Sequence, residues 1–500
     1  MVVLDGRNLT IEKVRNIARG EKVKISPGLW KKVLQAEKFV NKHIGNKKAI
    51  YGINTGFGAL ARVRIGLKDL IRLQRNILLS HNAGVDRPFS KEFVRAAMAI
   101  RINTLIQGYS GVSCELIKNL VTLLNKDIIP IVPRKGSVGA SGDLAPMASI
   151  GLILLGKGKV FYKRKIISAS RGLKLAGIKR LTLKPKEGLS LLNGTQFSTG
   201  IAALINYEAR RLCEVADIAG AISIDGLRGS VTPFSPHIFR VRPHPGAVKS
   251  AQRIRRLLKG SAILRSHKNC SKVQDAYSLR CMAQVHGAVW DLLEFARKTV
   301  EIELNAITDN PLIFTKNNTI LSGGNFHAEP IAFALDIMTM ALTELSSISE
   351  RRTFRLLDSD LSGINSFLTP KPGVNSGLMM AQITAASLVS YNKTLSFPGS
   401  VDSIPTSADQ EDHVSMSMNA GLKALEVLEN TKYVLAIELL CGTQALDLLR
   451  PLRSSRIIEN IKRKIRKEVS FISSDRPLTP EIEKIKAMIE KEQIQSLISI

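Results

Sequence analysis

The helical spacing of apolar residues in the second half of the chain most constrains how it can fold. In QVHGAVWDLLEFARKTVEIELNA, the positions Val285, Val289, Leu292, Ala296, Val300 and Leu304 recur at three- and four-residue steps, the stripe that an amphipathic helix buries. Two more long apolar helices are predicted at Glu329 to Ser347 and Gly377 to Leu395. Near the end, Thr479-Pro480-Glu481 offers an N-cap, a proline at the first helical position and an acid in the first turn. The first 200 or so residues read differently, as short elements broken by glycine-rich turns. The predicted fold is mainly α: a long central helical bundle with a C-terminal helical region over 196–500, and a smaller mixed N-terminal lobe over 1–195.

The alternation around VFYKRKIIS, inside the basic segment Lys157 to Glu187, predicts a hairpin or small sheet at the junction of the two parts. No internal period of a solenoid is present, and no low-complexity linker divides the chain, so packed lobes are expected.

Composition removes several classes. The 500 residues hold 72 Lys+Arg against 42 Asp+Glu, a formal net charge of +30, yet 44% are hydrophobic, which is far from the disordered regime. The charge raises the question of nucleic acid, an anionic membrane or merely a solvated basic surface. The most apolar run, Ala328 to Leu345, contains Glu329, Asp336 and Glu344, so no membrane helix is predicted. The N-terminus lacks a signal-peptide pattern, and a cytoplasmic protein is expected. Five scattered cysteines (Cys114, Cys213, Cys270, Cys281, Cys441) without a C-x-x-C pair read as reduced thiols. The eight histidines are dispersed and no H-E-x-x-H occurs, so no metal is expected.

The segment GSVGASGDLAPMASIG, Gly136 to Gly151, admits two readings. Its glycines can simply make turns, with Asp143 capping a helix that carries Pro146 in its first turn. No G-K-[ST] follows, which excludes a P-loop. Alternatively, Ala140-Ser141-Gly142 cyclises on itself. A tight turn can bring the Gly142 nitrogen onto the Ala140 carbonyl carbon, and glycine there removes a side-chain obstruction. Loss of water from the ring and from Ser141 leaves a methylidene conjugated to an imidazolone, an electrophile that no ordinary side chain supplies.

With that segment in view, the chain resembles the aromatic amino acid lyases, which build a methylidene-imidazolone (MIO) from an internal Ala-Ser-Gly, and among them the histidine ammonia-lyases. The likeness spans almost the whole chain. It rests on GSVGASGDLAP together with YGINTGFG from Tyr51, LLSHNAG from Leu78, GLSLLNGTQ from Gly188, VQDAYSLRC from Val273, NAITDNPL from Asn305, SGGNFHAEP from Ser322 and SADQEDHVSM from Ser407. It implies conversion of L-histidine to trans-urocanate and ammonia through MIO formed from Ala140, Ser141 and Gly142, with no external cofactor.

The resemblance also implies roles for particular residues. Tyr51 matches the base that removes the β-proton; a free phenol has a pKa near 10, so a nearby positive charge or oriented dipoles are expected to lower it. Arg280 matches the residue that grips the substrate carboxylate, a task suited to its planar fork. Gln274, Tyr277 and Arg280 are spaced by three, which on a helix puts them on one face. Gln274, Tyr277 and Asn193 are similar to residues that hydrogen-bond the MIO and the amino-acid moiety, and Phe326 to one that packs beside the cofactor. Ser80-His81 and Glu411 resemble the histidine-specific pattern, in which His81 and Glu411 face the imidazole and Glu411 is a possible second base. A substrate lacking the ring nitrogens leaves both unpaired, at a cost on the order of 10⁴-fold in specificity.

Rival readings within the family are a phenylalanine or tyrosine lyase or an aminomutase, all of which keep Ala140-Ser141-Gly142, Tyr51 and Arg280. Asn82 and Asp409 depart from the usual pattern beside the specificity residues. Outside the family stand an inactive helical scaffold and a basic nucleic-acid-binding protein. Against the latter, aromatics are only 5% and, apart from Phe161-Tyr162 in the predicted hairpin, none interleave the basic clusters, so no specific nucleic acid and no membrane is expected as partner. The family likeness further implies a homotetramer with active sites shared between subunits; such an assembly carries about four times the +30 of one chain, and self-repulsion is expected to put the basic residues on outer faces.

Overall fold

Helix dominates the computed structural model of the chain, which describes residues 1–45, 49–268 and 273–497. The longest helices are Gln196–Gly226, Met282–Glu303, Glu329–Leu357 and Ser417–Leu448, of 31, 22, 29 and 32 residues. The mainly α prediction, with a mixed N-terminal lobe and long helices after it, describes the structure.

The chain forms two units, each with its own interior. The first comprises Met1–Tyr207, Ala296–Asp336 and Pro398–Leu422. It holds all the sheet structure among the described residues, in small pieces. Val2–Leu4 pairs in parallel with Val23–Ile25, and Val85–Pro88 pairs antiparallel with Pro133–Lys135. Ile128–Pro130 joins the predicted hairpin, Lys159–Tyr162 with Lys165–Ser168, in a three-stranded antiparallel sheet. Leu312–Phe314 and Thr319–Leu321 form a second hairpin. The helix Lys91–Leu105 is buried on every side from Val94 onward, including Arg95, Arg101 and Asn103. A charge so placed needs internal partners. Arg95 donates to the carbonyls of Ile17 and Leu124 at 2.8 and 2.9 Å, and Lys186 pairs with Asp309 at 2.8 Å with both side chains fully buried.

The second unit comprises Glu208–Phe295, Ile337–Phe397 and Lys423–Ile500. Its interior is also pinned by buried ions. Glu438 accepts from Arg352 Nε and Nη2 at 2.5 and 2.8 Å and from Ser223 and Ser349, while Asp217 accepts from Ser250 and Arg253 and meets His286 Nδ1 at 2.8 Å. These groups fix how the helices seat, since each misalignment leaves a buried charge unpaired.

Some local expectations change. Along the stripe at 285–304, Val289, Ala296, Val300 and Leu304 are buried, but Leu292 is exposed and its neighbour Leu293 turns inward. Helical drift carries the stripe one position on. The helix at Glu329 continues to Leu357, ten residues past its predicted end. Leu478 occupies the N-cap position, with Thr479 the first helical residue and Pro480 inside the first turn. Cys114, Cys213, Cys281 and Cys441 are free thiols, whereas Cys270 lies outside the described residues. The helix Glu329–Leu357 is long and apolar enough to cross a membrane by length and composition, but 72% of its apolar window is buried inside the protein.

Candidate active site

The turn at Gly136–Asp143 is held from two sides by distant segments of the first unit. On one side, Gly142 bridges Gly194. The Asp143 N–H donates to the Gly194 carbonyl at 2.8 Å, and the Gly194 N–H donates to the Ser141 carbonyl at 3.3 Å. Gly142 has φ +74°, and a Cβ there would lie 2.1 Å from the Gly194 carbonyl oxygen. Glycine is required twice over, by the left-handed backbone and by this close approach. On the other side, Met416 N–H donates to the Val138 carbonyl at 2.7 Å and Ser415 Oγ donates to the Gly139 carbonyl at 3.0 Å. Ala140 packs in a small apolar cluster with Val414 and Met416, and Val138 lies against them.

The Asn193 side-chain amide lies 2.5 Å from Ser141 Oγ. With its nitrogen turned toward Ser141, it donates to Ser141 Oγ and, at 3.1 Å, to the Ser141 carbonyl oxygen, while its own oxygen accepts from the Asn310 N–H at 2.9 Å. The Ser141 carbonyl therefore faces two donors, the Asn193 amide and the Gly194 N–H. Such a pair is suited to holding negative charge that develops on that oxygen. The backbone carbonyl of Asn193 accepts in turn from the buried Arg101 Nη2 at 2.8 Å. Burial pushes the Arg101 guanidinium down to about 10, with Asp309 and Asp143 opposing the change.

Asp143 occupies the N-cap position of Leu144–Leu152 but makes no side-chain capping bond there. Its Oδ2 accepts instead from the N–H groups of Phe197 and Ser198, both at 2.8 Å, capping the helix that begins at Gln196. Complete burial raises its carboxyl to about 6 against the pull of these donors and of Arg101.

The residues expected to meet the substrate gather around this frame in part. Tyr51 is half-buried, with Phe57 edge-on at 6.4 Å. Its phenol is pushed up, not down. Burial is the largest cause, the Gly58 N–H opposes it, and the negative charges of Glu411 and Asp309 reinforce it. Among the described residues the expected lowering by positive charge is not found, since the charges acting on the phenol are carboxylates, and the one dipole that lowers it, the Gly58 N–H, is outweighed.

His81 ends the helix Leu67–His81, with Ser80 Oγ 3.1 Å from its Nδ1. Burial lowers its pKa, while a bond to the Ile77 carbonyl and the charge of Glu411 partly oppose this, so the imidazole is neutral near pH 7. Glu411 thus acts on both Tyr51 and His81. It sits in a tight turn, bridged to Thr406, whose Oγ1 donates to Glu411 Oε2 at 2.7 Å. Ser407, Ala408 and Asp409 all have positive φ in this turn. Asn82 closes the His81 helix and accepts from Ser149 Oγ at 2.7 Å, tying the end of that helix to the one that follows the Ala-Ser-Gly turn. Phe326 is half-buried in a turn three residues before the helix at Glu329.

Gln274, Tyr277 and Arg280 belong to the second unit. Tyr277 and Arg280 open and close the four-residue helix Tyr277–Arg280, but Gln274 lies outside it, beyond the extended N-cap Ala276. The shared helical face therefore holds for Tyr277 and Arg280 only. All three are exposed, Tyr277 by 70%, and the Arg280 guanidinium has no hydrogen-bond or ion-pair partner among the described residues. Sequence reading missed Arg101, Asn310 and the true target of Asp143. An arginine inside the apolar run AAMAIRINTL was the available signal for the first.

Comparison with known proteins bears on this arrangement. A family model described as aromatic amino acid lyase matches residues 9–467. A histidine ammonia-lyase of Stigmatella aurantiaca is 46% identical over 492 residues, covering 98% of this chain and 96% of that protein. The crystal structure of histidine ammonia-lyase from Trypanosoma cruzi superposes with a TM-score of 0.92 at 37% identity, over 99% of this chain and 94% of that one. A tyrosine aminomutase from Streptomyces globisporus reaches 0.94 at 34% identity, over 100% and 98%, so fold alone does not separate the activities. In sequence and fold alike, the chain belongs to the aromatic amino acid lyase family.

Proposed function

We propose that the chain is a histidine ammonia-lyase, converting L-histidine to trans-urocanate and ammonia with an MIO formed from Ala140, Ser141 and Gly142. The 46% identity to the Stigmatella aurantiaca histidine ammonia-lyase, over nearly the whole of both chains, carries the substrate assignment, and within the first unit the Glu411 charge reaches both Tyr51 and His81. The base and the ring-recognising pair then form one constellation. The high identity to histidine ammonia-lyases, against lower identity to the aminomutase, supports the same reading.

The Ala-Ser-Gly turn fits the group. Gly142 is pressed against Gly194 where no side chain fits, and the Ser141 carbonyl, which stays conjugated to the methylidene carbon after dehydration, already meets two donors. The MIO supplies an electrophile that makes the amino group a better leaving group.

The chain's own residues do the rest. Asn193 and Gly194 hold the Ser141 oxygen and draw electron density toward it. Tyr51, in a site that makes its phenolate a strong base, accepts the proton from the β-carbon. His81 and Glu411 together engage the two imidazole nitrogens. Exposed Arg280 holds the substrate carboxylate of a site completed by another copy of the chain, in a homotetramer, with Gln274 and Tyr277 beside it; Phe326 packs near the turn.

The deciding experiment incubates purified protein with L-histidine, L-phenylalanine and L-tyrosine and follows the three acrylate products by absorbance. Urocanate is expected from histidine alone. Turnover of phenylalanine or tyrosine without urocanate overturns the substrate, and an intact mass equal to the encoded chain overturns the MIO. Light scattering checks the tetramer.

A further inference from the structure

Two histidines and a glutamate, far apart in sequence, converge in the first unit. His327 follows the Asn325-Phe326 turn, Glu329 opens the helix Glu329–Leu357, and His413 lies in the loop between Glu411 and the helix beginning at Ser417. One ligand atom from each lies within 4.8 Å of the others. The two imidazole rings are parallel, 3° apart in plane, with centroids 5.8 Å apart. Glu329 Oε2 is buried without a hydrogen-bond partner among the described residues, 3.9 Å from His327 Nδ1.

An ordinary ion pair does not explain this group. At 3.9 Å the imidazole and carboxylate are beyond hydrogen-bond range, so the buried oxygen stays unsatisfied, which is costly unless something else meets it. A cation placed among the three donors satisfies all of them. Bonds of about 2.0–2.2 Å to zinc set donors roughly 3.3 Å apart, inside the 4.8 Å that bounds the three ligand atoms, so binding an ion draws the side chains inward. Two imidazoles with one carboxylate select a borderline transition ion over calcium or magnesium, which prefer oxygen-only shells. His327 also lines a cavity of about 520 Å³ with Tyr109, Thr308 and Asn325, which gives an ion a route in and leaves room for water on an open coordination position.

We propose that His327, Glu329 and His413 form a binding site for a divalent transition-metal ion of the Zn²⁺ or Co²⁺ type. Bound there, the ion ties the loop that carries Glu411 to the turn that carries Phe326. The site does not depend on the proposed reaction, and its test reads binding, not turnover.

The untagged full chain is loaded with Zn²⁺ alone or Co²⁺ alone, desalted, and assayed for metal by mass spectrometry. One ion per chain is expected, with Co²⁺ giving the visible absorption of a low-coordinate site. His327→Gln and His413→Gln should each weaken binding by about tenfold or more while circular dichroism stays unchanged. X-ray absorption on the wild-type zinc form should show nitrogen and oxygen ligands, which decides the matter even where a variant fails to fold. Absence of saturable binding, full binding in both variants, or sulfur ligation from a cysteine would each overturn the site.

Discussion

Gly142 and Gly194 approach so closely that a single methyl group on Gly142 would lie 2.1 Å from the Gly194 carbonyl oxygen. The contact comes from two turns that are 52 residues apart and exchange backbone hydrogen bonds on either side of the glycine. Its consequence is chemical, because the same backbone nitrogen must reach the Ala140 carbonyl carbon for the ring to close. Gly142→Ala is therefore expected to leave the chain at its full encoded mass, without loss of the two waters, and to abolish lyase activity. Ser141→Ala should likewise stay at its own full encoded mass, by a different route, since it removes the hydroxyl that leaves. Intact mass spectrometry checks both, and a dehydrated Gly142→Ala chain would show that the close approach does not govern cyclisation.

Asn193 and the Gly194 N–H share the Ser141 carbonyl oxygen, and only the side chain can be removed without disturbing the turn. Asn193→Ala should lower kcat by about 10²–10³-fold, the effect of losing one donor from an oxyanion site, with a smaller change in KM. Because Asn193 also touches Ser141 Oγ, the mass of the variant must be measured alongside its rate. A dehydrated variant with unchanged kcat would remove Asn193 from the chemistry.

Glu411 raises the pKa of Tyr51 by placing a negative charge near the phenol, so its removal has a defined sign. Glu411→Gln eliminates that repulsion, the phenolate becomes easier to form, and the Tyr51 pKa falls. The ascending limb of the kcat/KM profile should move to lower pH in Glu411→Gln, even as the weaker grip on the imidazole reduces the overall value. Tyr51→Phe should lose about 10²–10⁴-fold, as expected for removal of a general base. An ascending limb that stays fixed in Glu411→Gln would show that another group controls it.

The parts of this protein legible in the sequence are those set by local pattern. The hairpin Lys159–Ser168 follows from strand alternation on either side of a two-residue turn, and the long helices follow from apolar spacing. The Ala-Ser-Gly turn was legible because its glycines and following acid are contiguous. What stayed hidden depends on pairings across the fold. Asp143 reads as the cap of its own helix, yet its carboxylate caps another that starts 53 residues later. Arg101 gives no local sign that it donates to the Asn193 carbonyl. His327 and His413 look dispersed because 86 residues separate them, and only tertiary packing stacks their rings. Gln274 shows the reverse failure: three-residue spacing implies a helical face, but the chain is extended just before Tyr277.

The second carboxylate of consequence, Asp143, links the active-site turn to stability. Its side chain is fully buried and titrates at about 6 in the folded chain against 3.8 for an unperturbed aspartate, with burial the dominant cause. Between these two values the folded state retains a proton that the unfolded chain has released. Stability from this group therefore falls as the pH rises through that window, by on the order of 3 kcal/mol in total, and stays reduced above it. Asp143→Asn keeps an acceptor for the Phe197 and Ser198 N–H groups but carries no charge to bury. The thermal midpoint of the variant minus that of the wild type should accordingly increase as the pH is raised from about 4 to about 7. Thermal melts of both proteins across that range check the sign: a difference that is constant, or that shrinks with rising pH, would mean that the buried carboxylate is fully compensated by Arg101 and the helix N-terminus it caps.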